Sequence, residues 1–116
     1  MMLVGRNALY FKDYVLSIQY FNQVINAKPY LYEPYFFRGL AKFYLDDYLG
    51  SEQDCSEAVE RNPFVSDCYE VRALCRMRMG LFDKAIADYR EALRLEPEAR
   101  GLWHNLALCY GHTDRL

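Results

Sequence analysis

Apolar and small residues recur at helical spacing in the stretch that leads up to Pro97. Ala85, Tyr89 and Ala92 are separated by four and then three residues, so on a helix they share one face. Phe82 begins the same series one turn earlier. Proline ends such a segment because it lacks the backbone N–H and clashes with the previous turn. The pattern predicts an amphipathic helix that stops just before Pro97.

The same series occurs twice more, ending at Pro63 and at Pro29, and the three prolines are 34 residues apart. The matching positions are Tyr48, Ser51, Cys55 and Ala58 before Pro63, and Tyr14, Ser17, Phe21 and Val24 before Pro29. Small residues within each series allow a second helix to approach closely. A fixed period carried by several positions at once indicates an internal repeat.

Each unit also contains an earlier helix, which is marked by a small residue and by an aromatic residue four positions before it. The pairs are Tyr35 and Gly39, Tyr69 and Ala73, and Trp103 and Ala107, with Gly5 alone in the first unit. We therefore predict seven helices, over Met2–Phe11, Asp13–Asn26, Glu33–Leu45, Tyr48–Arg61, Ser66–Met79, Leu81–Leu95 and Arg100–Gly111.

With these positions in register, the chain resembles the tetratricopeptide repeat family, whose 34-residue unit is a pair of antiparallel helices, A and B. The unit over 65–98 matches the family pattern best, and the first unit is degenerate. The resemblance implies an all-α fold, a right-handed superhelix of about three and a half repeats in a single domain. The repeats fall at about 1–30, 31–64 and 65–98, with a partial repeat at 99–116.

Both ends of the chain interrupt the repeat. Met1 stands where the first helix A is already under way, and Leu116 stands one residue into a fourth helix B, at the place held by Tyr48 and Phe82. We expect the chain to be a fragment of a longer protein.

The stretch from Tyr30 to Tyr44 has seven aromatic residues in fifteen, more than helix pairing requires. The resemblance implies that helices A line a concave groove. We call its expected lining the groove surface: Leu9, Tyr10, Glu33, Phe36, Phe37, Leu40, Phe43, Tyr44, Glu70, Val71, Leu74, Met77, Arg78, His104 and Leu108. A contiguous apolar and aromatic surface is typical of a binding site for a protein partner.

The expected function is a non-catalytic protein-interaction module whose groove binds an apolar peptide or helix of a partner. Some members of the family clamp a peptide carboxylate with Lys, Asn and Arg. The matching positions here are Met2, Arg6, Phe37, Asp67 and Val71, of which Arg6 alone is basic, so a carboxylate clamp is not expected. Two alternatives stay open: a homodimer that buries the groove or the C-terminal edge, and an accessory domain of a larger enzyme.

Two pairs of opposite charges also follow the repeat. Arg38 and Asp54 in the second unit match Arg72 and Asp88 in the third, whereas the first unit has two uncharged residues at these places. Because the pair is present or absent as a whole, we predict an Arg–Asp ion pair between helices A and B of each of these two units. An anion site at the arginines is the alternative.

The totals argue against several other classes of function. A net charge of −2 does not fit a nucleic-acid-binding surface, and no apolar run is long enough to cross a membrane. The sequence contains no catalytic motif, and neither its four cysteines nor its two histidines have metal-binding spacing. We expect no cofactor and no metal. A soluble cytoplasmic protein is the default expectation, and an exported protein is the alternative.

Overall fold

The computed structural model of the chain describes residues 2–113, which form seven helices. In chain order they are α1 (Met2–Tyr10), α2 (Tyr14–Ala27), α3 (Glu33–Tyr44), α4 (Tyr48–Arg61), α5 (Ser66–Arg78), α6 (Phe82–Leu95) and α7 (Arg100–His112). Every predicted helix boundary lies within one residue of the observed one. Met1 and Leu116 lie outside the described residues, so the expectation that the chain is a fragment remains a prediction.

Each helix packs against the next one in the chain, which gives an elongated molecule of 45 × 25 × 21 Å. In addition, α1 contacts α3 and α3 contacts α5, so the helices A lie side by side along the array. The all-α prediction is confirmed over residues 2–113. No described helix has the length and apolar character needed to cross a bilayer.

The repeated small and apolar positions form the core between the two helices of each unit. Ser17, Ser51 and Ala85 are fully buried, as are Phe21, Cys55 and Tyr89 one turn later on the same face. Gly39 shows why its position must be small, because a Cβ there would lie 3.1 Å from the Asp54 Cβ and 3.2 Å from the Ser51 carbonyl oxygen. The helices of the second unit are therefore in direct backbone contact.

A left-handed turn precedes each helix B, and short polar caps begin the first two of them, α2 and α4. The Asp13 and Asp47 carboxylates accept hydrogen bonds from the first-turn backbone N–H groups of α2 and α4. Two residues before α2, α4 and α6 begin, Lys12, Asp46 and Gly80 adopt positive φ angles of 64°, 63° and 77°. The three residues are one repeat apart, so the backbone of the turn between helices A and B has the same shape in each unit. Glycine holds the positive-φ position in the third unit alone.

Both predicted Arg–Asp ion pairs are present. Arg38 donates two hydrogen bonds to the Asp54 carboxylate, from Nε at 2.9 Å and from Nη2 at 2.6 Å. Arg72 donates to Asp88 in the same way, at 3.0 and 2.7 Å. Both carboxylates are buried, with residue exposures of 3%. Planar two-point pairing of this kind fixes how helix A lies against helix B.

Each ion pair also includes a second cation that the sequence reasoning missed. Lys42 Nζ lies 3.1 Å from Asp54 Oδ2, and Arg76 Nη1 lies 2.7 Å from Asp88 Oδ2. Lys42 and Arg76 follow Arg38 and Arg72 by one helical turn and are one repeat apart. The 34-residue period could therefore have identified these two cations as well. The buried aspartates therefore each face two positive charges.

Candidate functional site

The groove surface follows the helices A and divides into three parts. One part lies between α1 and α3, a central part lies between α3 and α5, and the third lies on α5 and α7. The three parts differ in exposure and in charge, so they differ in what they offer to a partner.

Aromatic and basic side chains surround a cleft of about 610 Å³ between α1 and α3. Its groove-surface residues are Leu9, Tyr10, Phe37, Leu40 and Tyr44. Tyr44 is 53% exposed and stacks on Tyr14 at 5.1 Å between ring centroids, while Tyr10 is 80% exposed. This part of the surface is open to solvent.

The cleft also contains Arg6, which occupies a groove position in the register of helix A, and two residues that the sequence reasoning did not place there, Lys12 and Tyr14. The Arg6 guanidinium lies 5.0 Å from the centroid of the Phe37 ring, a cation–π contact. Lys12 and Tyr14 come from the turn into α2 and from its first residue. The register of helix A alone could not have identified them, because they belong to the turn and to helix B.

The central part is apolar but only half exposed. Phe36, Leu40 and Phe43 pack against a buried cluster that contains Val71 and Cys75. Each of these side chains lies between neighbouring helices A, where one part of it contacts the core and another part is exposed in the groove. Their aromatic character therefore contributes both to stability and to the floor of the groove.

Val71 departs from the expected lining. It is 8% exposed and belongs to the core cluster with Cys55 and Cys75. Phe36 and Leu40 of the neighbouring helix A pack against this cluster. Val71 thus supports the groove from below and offers almost no surface to a partner.

The third part, on α5 and α7, is more polar. Leu74 and Met77 are half-buried, and the buried Tyr89 hydroxyl donates a hydrogen bond to the Met77 sulfur at 3.2 Å. The remaining members are exposed: Arg78, His104 and Leu108. Leu108, at 44% exposure, is the apolar side chain here that a partner can reach most readily.

Acidic side chains lie where α3 and α5 begin. Glu33 is the first residue of α3 and is half-buried, as is Glu70 in the second turn of α5. Burial raises the pKa of Glu70, and the nearby charges of Asp67 and Glu96 raise it further. The groove surface therefore has an acidic end as well as an aromatic one.

Groups suited to metal or covalent chemistry are not brought together in the part of the chain that the structure describes. No three or more His, Cys, Asp or Glu side chains there could hold one metal ion. The four cysteines are free and buried, and burial raises the pKa of the Cys68 thiol to about 12. His112 stacks on Phe82 at 4.6 Å between ring centroids.

The comparisons with known proteins agree with the repeat. Residues 66–99 match the family model described as tetratricopeptide repeat. The chain contains a tetratricopeptide repeat. Seven helices over residues 2–113 correspond to about three and a half such units. No curated protein sequence matches the chain.

Solved structures of tetratricopeptide domains share the fold over 90–97% of this chain. The first such domain of Spaghetti (RPAP3), bound to the HSP90 peptide SRMEEVD, is similar at a TM-score of 0.95 and 24% identity, over 97% of this chain and 90% of that one. The Arabidopsis OM64 domain is similar at 0.93 and 24%, over 97% and 93%. The second human RPAP3 domain, in complex with the HSP70 peptide SGPTIEEVD, is similar at 0.87 and 22%, over 90% and 88%. The fold is thus the right-handed superhelix of tetratricopeptide domains.

Proposed function

We propose that this tetratricopeptide domain is a protein-interaction module whose groove surface binds an apolar segment of a partner protein. The observation that carries the proposal is the run of aromatic and aliphatic side chains along α1 and α3, from the exposed Tyr10 and Tyr44 to the half-buried Phe36 and Phe43. Isolated exposed apolar residues are common on proteins, but a contiguous row beside a cleft is typical of a binding surface.

Domains of the same fold bind peptides, as the complexes of the RPAP3 domains show for those proteins. Those two peptides end in the acidic sequence EEVD. In this chain the positions that match a carboxylate clamp include Phe37, Asp67 and the buried Val71, which supports an apolar ligand over a terminal carboxylate.

A binding measurement with matched variants tests the proposal. The probe is a fluorescein-labelled, uncharged peptide of about twelve residues rich in Leu and Phe, followed by fluorescence anisotropy. Tyr44→Ser removes an exposed groove side chain, and Tyr30→Ser is the control, because Tyr30 is 70% exposed but lies in the turn beside Pro29 and Arg61. We expect Tyr44→Ser to weaken binding by about tenfold, the usual effect of removing an aromatic contact, and Tyr30→Ser to leave it unchanged.

Phe36 and Phe43 are less suitable for this test because they also pack on the core, so that charged substitutions there would unfold the domain. Equal affinities for the wild type and Tyr44→Ser would contradict the proposal.

A homodimer is the competing use of the same surface. Light-scattering mass on a sizing column, across about a hundredfold dilution, distinguishes the two. A monomer at all concentrations supports an open groove, whereas a dimer that Tyr44→Ser dissociates would assign the surface to self-association.

A further inference from the structure

The cleft between α1 and α3 contains two cations, Arg6 on α1 and Lys12 in the turn that follows it. No acidic residue is found among the residues that line the cleft. Neither of the two side chains takes part in the ion pairs or side-chain hydrogen bonds found among residues 2–113. The cleft therefore carries positive charge that the described residues do not neutralise.

The pairing of helices A and B does not account for this charge. Ion pairs between the helices occur in the second and third units, where Asp54 and Asp88 are buried, and the first unit has an uncharged residue at their place. Arg6 instead occupies the groove position that Leu40 and Leu74 hold in the following units. Its side chain is exposed there, so its charge is accessible to a ligand.

The positive charge and the apolar floor of the cleft lie at the same place. The Arg6 guanidinium is 5.0 Å from the centroid of the Phe37 ring. A guanidinium has five N–H donors, and a carboxylate is the side-chain acceptor that it can bind at two points. A ligand side chain that packs on Phe37 would therefore bring a carboxylate on the next residue within reach of Arg6.

The walls of the cleft favour an aromatic ring in the ligand. Tyr14 and Tyr44 stack at 5.1 Å between centroids with their rings 18° apart, and Tyr44 is still 53% exposed. Tyr10 lines the cleft from α1 and is 80% exposed. Aromatic pairs gain free energy beyond the area that they bury, and a cleft of about 610 Å³ has the size of an ordinary binding pocket. An aromatic side chain of a partner would find ring surfaces on both α1 and α3.

We propose that the partner segment places an aromatic residue in this cleft, with an Asp or Glu directly beside it whose carboxylate binds Arg6 and Lys12. This inference rests on the proposed function, since it names the ligand of the same groove surface. The carboxylate belongs to a side chain within the segment. The site therefore differs from a clamp for the end of a peptide, which the groove positions of this chain do not match.

Four peptides of about twelve residues test the preference by fluorescence anisotropy. They are labelled at the N-terminus, amidated at the C-terminus and identical except for a central Phe-Glu, Phe-Gln, Phe-Lys or Leu-Glu pair. At about 50 mM salt we expect the Phe-Glu probe to bind about fivefold more tightly than the Phe-Gln probe and the Phe-Lys probe to bind more weakly than both. These differences should shrink at about 300 mM, because exposed charges are screened. The Leu-Glu probe should bind about threefold more weakly than the Phe-Glu probe.

The variants assign the preference to the two cations. Arg6→Gln and Lys12→Gln should each reduce the preference for Phe-Glu over Phe-Gln to about twofold. Arg90→Gln is the control and should leave the preference unchanged. The Arg90 guanidinium lies 5.5 Å from the centroid of the Tyr110 ring, so this variant removes the same charge and a similar cation–π contact outside the cleft. Circular dichroism establishes that each variant is folded.

The outcomes separate this inference from the proposed function. Equal binding of the Phe-Glu and Phe-Gln probes, both still weakened by Tyr44→Ser, would retain the groove as the site and overturn the inference. A preference reduced as much by Arg90→Gln as by Arg6→Gln would overturn it too, because net charge alone would then explain it. Equal binding of the Phe-Glu and Leu-Glu probes would overturn the aromatic requirement. Failure of every probe, including the uncharged one, would refute the proposed function itself.

Discussion

Replacing Arg38 by leucine tests how much the domain depends on the ion pair between α3 and α4. The substitution removes two hydrogen bonds to the Asp54 carboxylate, at 2.9 and 2.6 Å, and a third to the Asn22 side chain at 2.9 Å. Asp54 is 3% exposed, so water cannot fully replace the lost guanidinium. Breaking a buried pair by removing one partner costs about 3–5 kcal/mol in general.

Lys42 lowers the expected cost in this case. Its ammonium lies 3.1 Å from Asp54 and stays in place when Arg38 is removed. The Arg38 side chain is also 20% exposed, which reduces the contribution of the pair. We therefore expect Arg38→Leu to lower the free energy of unfolding by about 2–3 kcal/mol, or to lower Tm by about 8–12 °C for a chain of this size.

The double variant Arg38→Leu, Asp54→Leu separates the cost of a buried unpaired charge from the value of the pair itself. Because both charges are then gone, we expect its stability to lie within about 1 kcal/mol of wild type, well above that of the single variant. The first unit has Val4 and Tyr20 at the two matching positions, so helix pairing does not require the ion pair in every unit.

Urea unfolding followed by circular dichroism provides the measurement, with Arg94→Leu as the control. Arg94 pairs with Glu91 on the surface, where its side chain is 61% exposed, so its loss should leave the stability almost unchanged. The reasoning is refuted if Arg38→Leu is as stable as wild type, or if the double variant is no more stable than the single one.

Three further predictions follow from the turns, the acidic end and the core. Lys12→Gly should stabilise the domain by up to about 1 kcal/mol and Gly80→Ala should destabilise it by about 1–2 kcal/mol, as measured by urea unfolding, because both positions have positive φ. Glu70→Gln should stabilise the domain at pH 7, because the raised pKa of Glu70 means that ionisation of this carboxyl group opposes folding. In thermal melts below the ordinary pKa of glutamate, Glu70 is protonated in the folded and the unfolded chain, so the gain should disappear. Cys68, whose pKa burial raises to about 12, should react with a thiol reagent such as DTNB at pH 8 only after urea is added, and rapid labelling of the native protein would contradict this.

Sequence reasoning worked best within a single repeat. The predicted helix ends lie within one residue of those observed, because the prolines and the small positions are local signals. The Arg38–Asp54 and Arg72–Asp88 pairs were also accessible, since each joins the two helices of one unit.

It was weaker wherever two units meet. Val71 shares the register of groove positions but is buried, in a cluster against which Phe36 and Leu40 of the preceding unit pack. Arg6 was placed in the groove register, but its contact with the Phe37 ring joins α1 to α3, so it depends on the packing of two repeats. These contacts depend on the sizes of the side chains on both helices, whereas a repeat pattern describes each helix separately.

The sequence by itself thus determined the repeat, the helix boundaries, the pairing of helices A and B and the buried ion pairs, since all of these depend on spacings within 34 residues. Only the tertiary structure decided which helix A side chains stay exposed. It placed Tyr10 and Tyr44 in the open and Val71 in the core. The physical reason is that exposure depends on the distance between helices that are not adjacent in the chain, and the side chains packed between them set that distance.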